Sequence, residues 1–301
     1  MLNKLYLLIL LFFFLTGPYS GFCSSNADKP NSKRINVENL KADIVRLQAF
    51  NDIDPSDISN EELLTSFKIV QDDILNYVVG RLNQGDSDKE STDDVGVKLK
   101  EEFDKFKLSK NKSRNENKAK EGSDWGDYGG SYSIDIDRQD DKTGLLPVKY
   151  EMETLCGHQN ILIILKHTEK GWFPVLCDPG EIFKPVFPVQ YYFFHRPKEK
   201  QIYLVVGRLF SGCRSNMSAS EIKVFLLGDK TCKEIFKTEL GSNIVVEPLD
   251  ENLSLKLTKE GFSVGVDNAD GADDPMEWSW HDYSYKLKNG NVKRISMKAG
   301  R

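Results

Sequence analysis

Apolar and polar residues alternate with a period of two from Pro147 onward. Val148, Tyr150 and Met152 alternate with Lys149, Glu151 and Glu153, which predicts a strand with one buried face. Ile161 to Leu165 is apolar throughout and predicts a fully buried strand. Trp172 to Leu176 returns after the turn His167 to Gly171, and Gln190 to His195 pairs with Gln201 to Val206 across a charged turn. Glu221 to Leu227, Cys232 to Thr238, Ile244 to Glu247 and Leu253 to Leu257 continue the series. Tyr283 to Leu287 and Val292 to Met297 flank Asn289-Gly290, two residues that tolerate the positive φ of a tight hairpin.

Before this region the period is helical. Val37, Leu40, Ile44 and Leu47 form one apolar stripe, with Asn36 placed to cap its start. Ser59-Asn60-Glu61-Glu62 reads as a capping box, and Leu63, Phe67, Val70, Ile74 and Val78 follow at steps of three and four, ending near Gly85. Two such helices bury little by themselves, so they are expected to dock elsewhere, the β-rich half being the candidate. Between Lys107 and Gly122 there is almost nothing to bury, which predicts disorder and a stable proteolytic fragment starting near residue 140. Asp124 to Gly130, acidic, aromatic and glycine-rich, reads as a flexible approach to the first strand.

Leu165 to Trp172 resembles Leu255 to Phe262: each ends a strand in Thr, two charges and Gly, and starts the return strand with an aromatic. Such a match raises the question of a duplicated β unit, although charged hairpin turns also look alike.

Lys4, the apolar run Leu5 to Leu15 and the breakers Gly17 and Pro18 read as a secretory signal. The run falls short of the roughly 20 residues that span a bilayer, and cleavage is expected among Ser20 to Ser25. Export permits disulfides. Four cysteines beyond the signal allow three pairings, of which Cys156–Cys177 and Cys213–Cys232 are expected because each pair brackets neighbouring strands. Asn111, Asn216 and Asn252 begin glycosylation sequons. The net charge of −5 argues against a nucleic-acid binder.

The chain lacks a Walker A loop, a dinucleotide glycine fingerprint and an H-E-x-x-H helix. His281-Asp282 beside Glu277 is the one cluster that could supply a general base. Trp278, Trp280, Tyr283 and Tyr285 surround it and suggest an aromatic binding face, or the packed edges of the last hairpin. Asp267 to Asp274 offers the oxygen ligands that calcium prefers, through Asn268, Asp270, Asp273 and Asp274. Val266 stands where a calcium loop would begin with a carboxylate, so a solvated acidic turn is the competing reading.

The resulting expectation is a mainly β protein with a small N-terminal α-helical segment, its β part an antiparallel sandwich or a propeller-like domain. The segments are a signal peptide over 1–25, a helical hairpin over 36–84, a polar and largely disordered linker over 85–144, and the β domain over 145–298. The expected function is non-enzymatic binding of a protein or small ligand by a secreted or periplasmic protein. Calcium is the one cofactor suggested, and no membrane span remains after signal cleavage. The alternative is a secreted hydrolase using His281 with nearby carboxylates.

Overall fold

The computed structural model describes residues 37–53, 57–84, 97–98, 100–101, 128–137, 139–154, 157–179, 189–196, 201–211, 218–228, 232–242, 253–268 and 279–299. The fold is mainly β: two N-terminal helices precede three four-stranded antiparallel sheets, and the sheets close into neither a barrel nor a propeller among these residues. The signal, the acidic loop beyond Asn268, the sequons and the expected strand Ile244 to Glu247 lie outside the described residues.

Helix α1 spans Val37–Ala49 and buries Leu40, Ile44 and Leu47, the stripe its sequence predicts. A 3-10 turn, Phe50–Asp52, follows. Helix α2 spans Asn60–Gln84. Its start is capped as expected, the Glu62 N–H donating to Ser59 Oγ at 3.5 Å.

The first sheet comprises β1 (Tyr132–Ile136), β2 (Leu145–Thr154), β3 (Gly157–Thr168) and β4 (Gly171–Asp178). The second comprises β5 (Gln190–Arg196), β6 (Gln201–Ser211), β7 (Ser218–Leu227) and β8 (Cys232–Ser242). The third comprises β9 (Leu253–Leu257), β10 (Gly261–Asn268), β11 (Ser279–Lys288) and β12 (Asn291–Ala299). Each sheet is a meander, with strands adjacent in the order in which the chain makes them. β1 falls inside the stretch expected as linker, so the β domain starts before residue 145. Its brevity hid it: only Tyr132 and Ile134 are buried, alternating with exposed Ser133 and Asp135.

The elements stack as successive layers. The helices and one face of the first sheet share a core that includes Leu47, Phe67, Val78, Tyr150, Ile163 and Leu165. The opposite face, through Leu162, Ile164 and Leu176, packs on Leu204, Val206 and Phe225 of the second sheet. The other face of that sheet, through Tyr203, Val205, Ile222 and Val224, packs on Phe262, Val264, Tyr283 and Tyr285 of the third. Sheets covered on both sides explain the unbroken apolar runs of β3 and β6, since alternate residues enter different cores. The helices therefore form one layer of the β domain, and a fragment beginning near residue 140 would expose the face they cover.

The three sheets also repeat one another. Pairing of β3 with β4 shifts register after Ile164, β7 with β8 after Val224, and β11 with β12 after Ser284. The residues left without a register partner, Val175, Ile235 and Ile295, are sixty positions apart. Such a bulge bends an edge strand and spoils it as a template for further pairing. The similarity between Leu165–Trp172 and Leu255–Phe262 does not mark this repeat, for it matches the third hairpin of one sheet with the first hairpin of another.

The unit differs where the stack ends. Leu162 and Ile164 face the second sheet and Ile222 and Val224 face the third. The corresponding residues of β11 are exposed Asp282 and part-exposed Ser284. A polar outer face thus closes one end of the stack and the helical pair closes the other.

Side-chain amides secure loose backbone along this stack. Asn51, buried after α1, accepts from the Tyr128 N–H at 2.7 Å and donates to its carbonyl at 2.9 Å. Asn83 of α2 treats Trp172 of β4 the same way, at 2.6 and 3.0 Å. Gln190 of β5 donates to the Leu253 carbonyl at 3.0 Å and accepts from the Leu255 N–H at 3.2 Å. Tyr128 and Gly129, expected to be flexible, are therefore anchored, with Gln48 also donating to the Gly129 carbonyl at 2.7 Å. Asn289 and Gly290 adopt φ of 50° and 72°, as the hairpin reading requires, and the Gly290 N–H donates to the Tyr203 hydroxyl at 2.9 Å.

Candidate functional site

Among the described residues, a dense group of charged side chains lies between the first two sheets. Arg208 projects from β6, Glu221 and Lys223 from β7, Lys237 from β8, and Asp178 ends β4. Arg208 and Glu221 are 0% and 1% exposed, and Asp178 and Lys223 are buried beside them. Arg208 and Glu221 are register partners, as are Lys223 and Lys237, so strand pairing brings the second sheet's four charges together.

Arg208 Nη1 pairs with Asp178 Oδ2, and Nη2 donates to the Asp178 carbonyl at 3.0 Å. Lys223 Nζ lies 3.1 Å from Asp178 Oδ1 and 3.1 Å from Glu221 Oε1. Lys237 Nζ lies 2.6 Å from Glu221 Oε2 and leads outward to the more exposed Glu239, 3.8 Å away. Burial by itself would raise the Asp178 carboxyl, but the Arg208 and Lys223 charges outweigh it and hold the group below its ordinary value. Three cations and three carboxylates balance along this chain of contacts, so its first chemical property is to fasten one sheet to the next in a single register.

A second polar link joins the same sheets on the side of the first strands. The Tyr191 hydroxyl of β5 donates to Asp137, just past β1. Lys149 of β2 lies 3.2 Å from both Asp135 and Asp137. Burial, and then Asp137, raise the Tyr191 hydroxyl well above its ordinary range, which makes it a hydrogen-bond donor rather than an acid.

The residues singled out from sequence are dispersed by the fold. His281 is buried on β11 with its ring 6.3 Å from that of Tyr283, while Asp282 points to the exposed opposite face. Strand alternation separates the two neighbours, so they do not form an acid–base pair. Glu277 and Trp278 lie outside the described residues, and Trp280 is described only as a backbone partner of Asp267. Tyr283 and Tyr285 are 2% and 3% exposed and belong to the core between the second and third sheets, which corrects their reading as a binding face. Tyr285 stacks on Phe262 at 4.8 Å and meets Phe236 edge-on at 5.4 Å.

Asn268 ends β10 opposite Ser279. Asp270, Asp273 and Asp274 lie outside the described residues, and no group of three or more metal-ligating His, Cys, Asp or Glu side chains occurs among those described. Cys177 lies on β4 opposite Ile163 and Cys232 opens β8 opposite Leu227. Their expected partners, Cys156 and Cys213, are outside the described residues.

Sequence reasoning missed the buried charges because Glu221-Ile222-Lys223-Val224 alternates like a half-exposed strand. The available signal was position: a β7 enclosed by neighbours on both faces has to bury whichever side its charges take. No protein-family model, curated protein or solved structure matches this chain.

Proposed function

We propose that the protein is an exported, non-enzymatic interaction module, a rigid stack of sheets that presents its sides to a partner. The observation that carries this reading is the closed-off array: three meanders whose last hairpins share one register and bulge, covered by helices at one end and ending in a polar face at the other. Stacked repeats of this kind offer long lateral surfaces and fixed spacing, and repeat proteins use such surfaces for binding. The buried charges suit the same role, since they hold successive layers in place.

The test is saturable binding of the full chain to arrays of extracellular proteins, glycans and lipids, paired with assays of ester, peptide, glycoside and phosphate hydrolysis. Binding that weakens when exposed lateral residues such as Tyr192 or Leu257 are replaced supports the proposal. Hydrolytic turnover that His281→Ala abolishes in a folded protein would overturn it in favour of a hydrolase.

A further inference from the structure

The last strand differs from the other edges of the stack. β12 is a free edge, and its pattern of exposure runs through both faces from Lys293 to Lys298, with only Ser296 part-covered. Ile295 and Met297 are 53% and 54% exposed. They alternate with Lys293, Arg294, Ser296 and Lys298, and no acidic residue occurs between Asn291 and Ala299. Lys288 of β11 adds to this charge near the hairpin tip, while Lys286 is paired with Glu260 at 3.0 Å. In a chain of net charge −5 this is a local basic and apolar ridge.

We infer that the β12 edge docks peripherally on an anionic phospholipid surface, deepening the interaction reading above by naming the partner's chemistry. Basic side chains close to such a surface gain attraction from its negative potential. Exposed Ile and Met gain from entering the headgroup boundary beside them. Strand amides facing that boundary find phosphate oxygens and water to accept their hydrogens, so the open edge is tolerated at interfacial depth although not in the hydrocarbon. Among the described residues no helix is long and apolar enough to cross a membrane, and the docking needs none.

Other occupants fit less well. A strand added to β12 would meet the irregularity at Ile295, where pairing shifts. Antiparallel pairing with a second copy over the ridge would set Lys293 against Lys298. A sulfated polysaccharide would use the basic side chains but gain nothing from Ile295 and Met297.

The experiment is co-sedimentation of the exported chain, without the apolar run Leu5 to Leu15, with vesicles of phosphatidylcholine alone and of phosphatidylcholine with phosphatidylglycerol. Binding should occur only with the anionic vesicles, weaken with salt, and fall at least about tenfold in the Lys293→Glu/Lys298→Glu variant. Ile295→Ser/Met297→Ser should reduce it several-fold while leaving the melting temperature unchanged, because both residues are exposed. Equal binding to neutral vesicles, no binding at all, or binding by the serine variant equal to that of the parent would overturn the inference. Retention on immobilised heparin without vesicle binding would assign the ridge to a polysaccharide, and the interaction reading would stand while the lipid docking falls.

Discussion

A guanidinium enclosed between two sheets is stable only while its carboxylates stay in place. Replacing Arg208 by Met leaves Asp178 buried with Lys223 as its remaining described cation. Loss of one member of such a pair is expected to cost about 3–5 kcal/mol, read from urea unfolding; a change below about 1 kcal/mol would show that the cluster is dispensable. The pH dependence has a definite sign. Asp178 titrates lower in the folded protein than in the unfolded chain, so its contribution is present above the unfolded carboxylate value of about 4 and is lost as pH falls through the folded one. Arg208→Met should flatten that acid limb. None of this was visible in the sequence, where Arg208 follows the apolar run of β6 like the first exposed residue after a core strand. The amide clasps of Asn51, Asn83 and Gln190 were equally hidden, because each reaches 63 to 89 positions along the chain.

Elements were more legible than contacts. Both helices, the cap at Ser59 and the Asn289-Gly290 hairpin follow from local spacing and backbone preference, and each stands where the pattern put it. β1 did not, because a five-residue edge strand carries too few alternations to outweigh its acidic surroundings. The helical pair also contains a pH-sensitive seam. Burial raises the Asp73 carboxyl of α2 to about 6, helped by a hydrogen bond with Asp43 of α1 and by the charge of Asp72. Arg46 holds Asp43 at 3.0 Å. A raised carboxyl favours the folded state at low pH, so this contribution is lost as pH climbs from the unfolded value of about 4 through about 6. Asp73→Asn should therefore raise the melting temperature at pH 7 and have little effect at pH 4. A carbon-13 titration that finds the Asp73 carboxyl at an ordinary value would remove the basis for this expectation.

The order of layers was the least legible feature of the molecule. Sequence pattern marks which residues are apolar but not which sheet each face will meet, and three similar meanders could stack in several ways. The repeat escaped notice for a related reason. What recurs every sixty residues is the pairing of each sheet's last two strands and its bulge, with Val175, Ile235 and Ile295 as its few recognisable markers. Around them the side chains have diverged according to layer: Ile161, Glu221 and His281 occupy one place in three sheets, facing the helices, the first sheet and the second sheet in turn. A residue's partner across the interface, rather than its own strand, decides what it can be.

The unequal ends of the stack set how the molecule could assemble. Among the described sheet faces, the outer face of the third sheet is the one that surface changes can make adhesive, because the end face of the first sheet is covered by α1 and α2. A variant with Asp282→Leu, Ser284→Val and Lys286→Leu would turn that face into the apolar kind found at Leu162 and Ile164. Two copies could then bury it against each other about a two-fold axis, an isologous contact that uses up both surfaces at once. Light scattering should find dimers that do not grow with concentration. Head-to-tail fibres would need a second open end, which the helices deny, so a chain of repeats that could polymerise is limited by its N-terminal layer to closed pairs.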